Sequence, residues 1–358
     1  MTARLDRYVA GIYLSCWVLA VVFFLGLFGV MDFFRNVGDL LDHARSTGGG
    51  AAIIGQFYAC QAPRILKEMA PFVMLMAALL TVLRLQRHNE LMAMQLTGRS
   101  SRRVLMPVFV MSALFTGLLA WVQESVAPGV SLKREQLEAI LLKGRPDWTL
   151  HDIHMRDAQG WLFSAYEFHV YSGVVEKLHV SGRDAQGRNV SVSGSDATWD
   201  EEAGGWRVQG GVREVRSLPD GELLETGPAD LVVTDVRPDD LLMEHREPFD
   251  LSYAEILARS ERYPAAPGYR LLRHYHVTYP LSVLLLVLLG VPFVLRRPQQ
   301  RGFVGVGAAV LLCVAFMLVD ATVRDLGNHG WLHPVVAAWL PVILAGSLSV
   351  VLLDSVDD

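Results

Sequence analysis

The sequence predicts an α-helical membrane protein with six transmembrane helices and an all-β domain inserted between the third and fourth. Three observations carry this. Six apolar segments each approach the length of about 20 helical residues that a bilayer core requires. One polar stretch, residues 131–265, interrupts them midway. The 358-residue chain is 52% apolar and only 19% charged, and its mean hydropathy is positive, a balance unusual for a soluble domain. The layout divides the chain into residues 1–130 (spans 1–3), 131–265 (the β domain with flanking helices) and 266–358 (spans 4–6).

The spans are read at 11–32, 64–85, 104–125, 272–295, 303–323 and 333–353. The first is too long for the apolar core of a cleavable signal, and no small-x-small site follows it. The second has the weakest start, because Arg64, Lys67 and Glu68 precede its clean apolar run; a helix beginning near Ile53 would put those charges at one membrane boundary. An even number of spans places both termini on one side. Arg4 and Arg7, then Arg84, Arg87, Arg99, Arg102 and Arg103, then Arg296, Arg297 and Arg301 all fall on that side. The positive-inside rule makes it cytoplasmic, so the large domain lies outside the cytoplasm. The acidic tail, Asp354, Asp357 and Asp358, runs against the trend, but acidic residues weigh little in that rule.

Between spans 2 and 3 runs Arg87-His-Asn-Glu-Leu-Met-Ala-Met-Gln-Leu-Thr-Gly98. Asn89 is an expected N-cap, Glu90 suits the positive end of a helix dipole, and Gly98 can close the helix in the left-handed conformation. Leu91, Met94 and Gln95 recur at helical spacing. The segment near 88–98 therefore predicts a short amphipathic helix on the cytoplasmic surface. It is either a turn with membrane-anchoring arginines or a docking helix for a soluble partner; a capped helix is more than a turn requires.

In the polar stretch, short alternating runs recur at Trp148–Met155, Trp161–Phe168, Val174–Val180, Asn189–Val192, Trp206–Val215 and Glu222–Val236. Turn residues separate them, at Asp157–Gly160, Asp184–Gly187, Gly204-Gly205 and Pro219–Gly221. This rhythm predicts a sandwich, jelly roll or open barrel. Leu132–Leu142 should continue span 3 as a helix. Ser252-x-x-Glu255 is a capping box opening a helix over 252–262, and Pro264 and Pro267 then break the chain before span 4.

Chemistry-bearing residues are few. Arg35, Arg64 and Lys67 near the outer ends of spans 1 and 2, with Lys133 and Arg134 after span 3, are cations that suit phosphate or simply reach for the interface. Asp320 in span 5 is a carboxylate in an apolar segment; it faces a cavity or pairs with Arg324 one turn on. Phe23, Phe24, Phe28, Phe316 and Met317 form an apolar wall suited to acyl chains. Gly26 and Gly29 in span 1 and Gly302, Gly305 and Gly307 in span 5 would permit close helix approach. His151-x-x-His154 lies in an expected strand, where strict alternation puts the two rings on opposite faces, so no metal site is expected. The three cysteines all lie in apolar segments and imply no disulfide framework. A net charge of −5 gives no case for nucleic acid binding. The chain has no Gly-x-x-x-x-Gly-Lys-Ser/Thr loop, so ATP-driven work would need a nucleotide site on another subunit, and no cofactor is expected.

Taken in order, Leu5-Asp-Arg-Tyr8, the loop Arg87–Ser100, Glu124-x-x-Ala-Pro128, the β domain, Tyr279-Pro-Leu-Ser282 and Asp320 resemble the LptF/LptG lipopolysaccharide export permeases over the whole chain. The opening Leu-Asp-Arg-Tyr is more similar to LptG. The resemblance implies a permease of the inner membrane of a Gram-negative bacterium, with a periplasmic jellyroll-like domain, both termini cytoplasmic, and a transporter role rather than an enzymatic one. It implies a heterodimer with a second permease, and a cytoplasmic ATPase dimer contacting the coupling helix through Arg87, Asn89, Glu90, Leu91, Met94 and Gly98. It also implies an LptC-like single-span protein and a periplasmic bridge that receives lipopolysaccharide. The substrate would meet Arg35, Arg64, Lys67, Lys133, Arg134, Phe28, Phe316 and Asp320. The rival reading is a non-transporting membrane scaffold or signalling protein whose β domain binds a partner.

Overall fold

The computed structural model describes residues 2–38, 50–142, 148–157, 159–184, 186–217, 222–246, 250–262, 267–295 and 302–354. The basic cluster at 296–301, the turn at 219–221, Pro264 and the tail residues Asp357 and Asp358 lie outside them. Two units result. The first comprises residues 1–37, 58–130 and 250–358, and the second residues 38–57 and 131–249.

The first unit is a helical bundle. Its elements are α1 (Thr2–Arg35), α2 (Gly50–Arg87) from residue 58 on, the short α3 (Glu90–Gln95), α4 (Ser101–Trp121), a π-helical turn (Val122–Val126), the first residues of α5 (Ala127–Leu142, which belongs to the second unit from Ser131), α7 (Tyr253–Arg262), α8 (Pro267–Leu295), α9 (Gly302–Asn328) and α10 (Pro334–Asp354). Among the described residues six helices are long and apolar enough to cross a membrane: Arg4–Arg35, Ala52–Arg87, Ser101–Leu141, Gly268–Pro292, Val306–Asn328 and Pro334–Asp354. The early start of the second span follows the alternative that its flanking charges suggested. Prolines 63, 71, 107, 280, 292 and 341 sit inside these helices, a placement that transmembrane packing tolerates.

The main core of the bundle is a large apolar cluster; a smaller one joins Leu271 of α8 to Ala337 and Ala338 of α10. The large cluster gathers Val9, Tyr13 and Cys16 of α1, Leu75, Ala78 and Val82 of α2, Leu105 and Val108 of α4, Val283 and Val287 of α8, and Ala309 and Cys313 of α9. Burial of the most apolar stretches is uneven: 67% of the α2 window and 61% of the α8 window are inside, against 11% in α1 and in α9. α2 and α8 are therefore the interior helices, while α1 and α9 present apolar faces outward. The buried Tyr13 hydroxyl accepts a hydrogen bond from Ser112 at 2.9 Å and lies 3.9 Å from Met74 Sδ, so this polar tip is satisfied.

Close helix approach occurs at glycines other than those the sequence suggested. A Cβ on Gly290 would stand 2.3 Å from Leu75 Cδ1, and one on Gly327 2.6 Å from Ala337 Cβ. Around Gly26, Gly29 and Gly307 the space is open.

The second unit contains one eight-stranded antiparallel sheet. Its strands are β1 (Thr149–Arg156), β2 (Leu162–His169), β3 (Val174–Arg183), β4 (Asn189–Asp200), β5 (Gly205–Gln209), β6 (Val212–Arg216), β7 (Leu223–Pro228) and β8 (Leu231–Val233). The path runs β1-β2-β3-β4-β5-β8, and β6, which carries β7, also pairs with β4. The free edge of β4 is thus shared. Asn189–Ser193 pairs with β6 and Asp196–Asp200 with β5, so the sheet forks there. Phe163, Phe168 and Trp199 pack around Trp206, whose indole N–H donates to Val236 C=O at 2.8 Å.

Two predicted runs are each two strands. Trp206–Val215 breaks at Gly210, which adopts φ +61°, and Gly211 beside it admits the Ala229 carbonyl to 1.9 Å of where a Cβ would stand. Glu222–Val236 breaks between β7 and β8. The turns at Asp157 and Asp184 form as expected, each aspartate Oδ1 accepting two backbone N–H groups. The helix α6 (Pro238–His245) was not foreseen; Asp240 caps it by accepting from Arg237 N–H at 2.9 Å. The capping box at α7 forms in both directions, Ser252 N–H to Glu255 Oε2 at 2.8 Å and Glu255 N–H to Ser252 Oγ at 3.3 Å.

Alternation in the sheet is interrupted along one row. Buried residues fall three apart at Leu150 and Ile153, at Ala165 and Phe168, and at Val175 and Leu178. Asp152 and Lys177, between them on β1 and β3, have φ of +53° and +50°. A left-handed residue inside a strand shifts the pleat by one. His151 and His154 therefore both lie off the core side, contrary to the expectation from strict alternation.

Candidate functional site

The first candidate surface is the end of the bundle that carries α3. Asn89 does not cap α3 with its side chain. It takes φ +55° instead, a left-handed position that asparagine tolerates, and reverses the chain between α2 and α3. Gly98 closes the segment with φ +84° and donates to Gln95 C=O at 2.8 Å, as the sequence predicts. Ser100 then caps α4 by accepting from Arg103 N–H.

Leu91 and Met94 turn inward and join the bundle core. In this position they seat the helix on the bundle. The outward apolar residues are Met92, 59% exposed, and Leu96, 81% exposed, with Arg87 and Asn89 also at the surface. Both Glu90 carboxylate oxygens accept from the Tyr8 hydroxyl at 3.0 Å, which ties α3 to α1. Nearby, Arg103 pairs with Asp6 of α1 at 2.9 Å and Arg102 with Asp354 of α10 at 3.1 Å. The acidic end of α10 thus meets a basic partner, which accounts for an acid on a basic face.

The second candidate surface is a polar network centred on α8. Three of its side chains reach three neighbours. Tyr275 donates to Asp320 Oδ2 on α9 at 3.2 Å, and the Arg324 guanidinium covers the Tyr275 ring at 4.6 Å. His276 Nε2 meets Glu124 Oε2 at 3.0 Å, while the Gln123 amide meets its Nδ1 at 2.8 Å. The Tyr279 hydroxyl donates to the Lys67 carbonyl of α2. Glu124 also accepts from Tyr253 N–H at 2.9 Å, at the start of α7. Pro128 explains the π-turn that holds Glu124. Without an N–H it cannot bond the Glu124 carbonyl in an α-helical ladder, and Ala127 N–H bonds Val122 C=O instead.

The expected phosphate-facing cations have different surroundings. Arg35 is exposed. Arg64 pairs with Glu68 at 3.0 Å. Lys67 is buried, with Asp250, Glu68 and Arg64 as charged neighbours. In the other unit Lys133 is exposed, and Arg134 is buried and lies 3.7 Å from Glu135 and 3.6 Å from Glu138. Phe28 is half-buried on α1, and Phe316 packs against the core from α9. Sequence reasoning missed the hub on α8. Its only sign was Tyr-His-x-x-Tyr, which puts three donors on adjoining helical faces.

The bundle thus carries a short surface helix at one end and a polar network that joins α8 to α2, α9 and the π-turn. No curated protein matches the chain. Residues 7–355 match the family model described as lipopolysaccharide export system permease LptF/LptG. With six membrane-length helices, an antiparallel β unit between the third and fourth, and a family match over nearly its full length, the chain belongs to the LptF/LptG family of lipopolysaccharide export permeases.

Proposed function

We propose that this permease is one half of an ATP-driven lipopolysaccharide extractor. In this reading a second family permease pairs with it, and an ATPase dimer docks on α3 from the cytoplasm. The β unit, on the periplasmic side, hands the glycolipid to a bridge with the help of an LptC-like single-span protein. The clustering of Arg84, Arg87, Arg99, Arg102 and Arg103 around α3 supports a cytoplasmic position for that end.

The observation that carries the reading is the two-sided build of α3. Leu91 and Met94 anchor it, Met92 and Leu96 stand outside it, and Glu90 links it to α1 through Tyr8. A partner that grips the outer side would pull on α1 as well, through the Tyr8–Glu90 contact and the Arg103–Asp6 pair. α1 and α9 have the most exposed apolar faces of the six spans, which suits them to the seam with the second permease and to acyl chains. Phe28 and Phe316 would contribute to that wall. Among the cations Arg35, Arg64, Lys67, Lys133 and Arg134, the exposure of Arg35 and Lys133 supports their meeting lipid phosphates.

The test is affinity purification of the tagged chain from native membranes in mild detergent, with mass spectrometry of proteins and lipids. The reading expects a second permease, an ATPase and lipopolysaccharide in the eluate, with the ATPase lost in Glu90→Lys. An eluate without ATPase or lipopolysaccharide would favour the scaffold or signalling reading.

A further inference from the structure

On β1–β3 the side chains away from the core gather two histidines and two glutamates. Glu167 and His169 stand two apart on β2, hence on one face. Glu176 of β3 is the register partner of Glu167, and His151 of β1 is its partner on the other side. His169 Nε2 lies 2.9 Å from Glu176 Oε1 and 4.0 Å from Glu167 Oε2, and His151 Nδ1 lies 3.2 Å from Glu167 Oε1. One ligand atom from each of Glu167, His169 and Glu176 falls within 4.8 Å of the others.

Two glutamates directly opposite each other on paired strands repel and destabilise the pair. A cation between them removes that cost. Zinc bound to imidazole nitrogen and carboxylate oxygen at about 2.0–2.2 Å in tetrahedral geometry sets its ligand atoms about 3.3 Å apart. The present spacings, all within 4.8 Å, need shifts of about 1.5 Å or less to reach it. The partial exposure of all three residues leaves a path for entry.

We propose that Glu167, His169 and Glu176 form a binding site for a divalent transition metal, with zinc the best match to a nitrogen–oxygen donor set. The metal takes the place of the present His169–Glu176 contact. His151 acts outside the ligand set by holding the far oxygen of Glu167, and the Thr149 hydroxyl, 3.3 Å from His151 Nε2, fixes that ring. Three protein ligands leave one position for water or an anionic oxygen. The metal clips β2 to β3 beside the turn at 170–173, and nothing in the transport reading depends on it.

The experiment titrates the full-length protein in detergent with zinc against a chromophoric chelator, and with cobalt for its visible spectrum, in the presence of millimolar magnesium. One equivalent of zinc and a tetrahedral cobalt spectrum are expected. His169→Ala and Glu176→Gln should each weaken binding by about tenfold or more, and His154→Ala, on a neighbouring exposed histidine, should leave it unchanged. Both ligand positions face away from the core, so the variants should keep the wild-type far-ultraviolet circular dichroism. No stoichiometric binding, or binding equally strong in the His169→Ala, Glu176→Gln double variant, would overturn the assignment.

Discussion

Truncating the two leucines of the α3 segment separates seat from contact. Leu91 is 6% exposed and packs into the bundle core, whereas Leu96 is 81% exposed. Leu91→Ala removes buried carbons and leaves a void. Such changes cost about 2–5 kcal/mol, and at the rim of the bundle, where neighbours can relax, about 2 kcal/mol is expected. Leu96→Ala should change stability by no more than about 0.5 kcal/mol, as exposed substitutions do. If the ATPase covers Leu96, losing that burial removes about 1.5–3 kcal/mol of association energy, or about tenfold to a hundredfold in affinity. Thermal unfolding of the detergent-purified chain reads the first quantity, and titration of the purified ATPase onto it reads the second. A Leu96→Ala variant that unfolds as early as Leu91→Ala, or a Leu91→Ala variant with unchanged melting, would refute the inward and outward assignment of α3.

Tyr8→Phe deletes the hydrogen bond to Glu90 while keeping the ring; α3 should loosen by about 1 kcal/mol or less, seen as faster amide exchange over 90–96 with little change in melting temperature. Gly290→Val drives a side chain into Leu75 and should lower stability by about 1–3 kcal/mol, while Gly26→Val, where space is open, should leave the melting temperature unchanged. Two half-buried carboxyls of the β unit titrate low. Hydrogen bonding from the Arg207 guanidinium and the Ala203 backbone depresses Asp200. For Asp184, a desolvation contribution that raises its pKa is outweighed by the Arg188 backbone and side chain. Their stabilisation is present above the ordinary carboxylate range and is lost as pH falls through the depressed values. An acid titration followed by circular dichroism should show a smaller acid-dependent loss in Asp200→Asn.

The helices were legible because a span needs a long apolar run, and such runs survive any detail of packing. The start of α2 was harder to place. Arg64, Lys67 and Glu68 read as a boundary, but in the folded chain Lys67 is buried among charges and the helix runs through. On α3 the sequence carries apolar residues on two sides, Leu91 with Met94 and Met92 with Leu96. Periodicity alone cannot say which pair faces the bundle; the left-handed turn at Asn89 sets that rotation. The strand breaks at Gly210 and the pleat shift at Asp152 and Lys177 depend on backbone angles that pattern does not encode, so the outward cluster around Glu167 was invisible from alternation. The α8 hub was hidden for a related reason. Its partners Glu124, Asp320 and Lys67 lie on three other segments, and only folding brings them to one helix.

The central claim is that this permease moves lipopolysaccharide with energy delivered through α3. The most direct measurement reconstitutes it with its second permease and ATPase in lipopolysaccharide-loaded vesicles and follows glycolipid reaching an external acceptor. ATP-dependent release that falls to the no-ATP level in Glu90→Lys is the predicted result. Release that ignores ATP, or that persists undiminished when α3 carries the reversed charge, would contradict it.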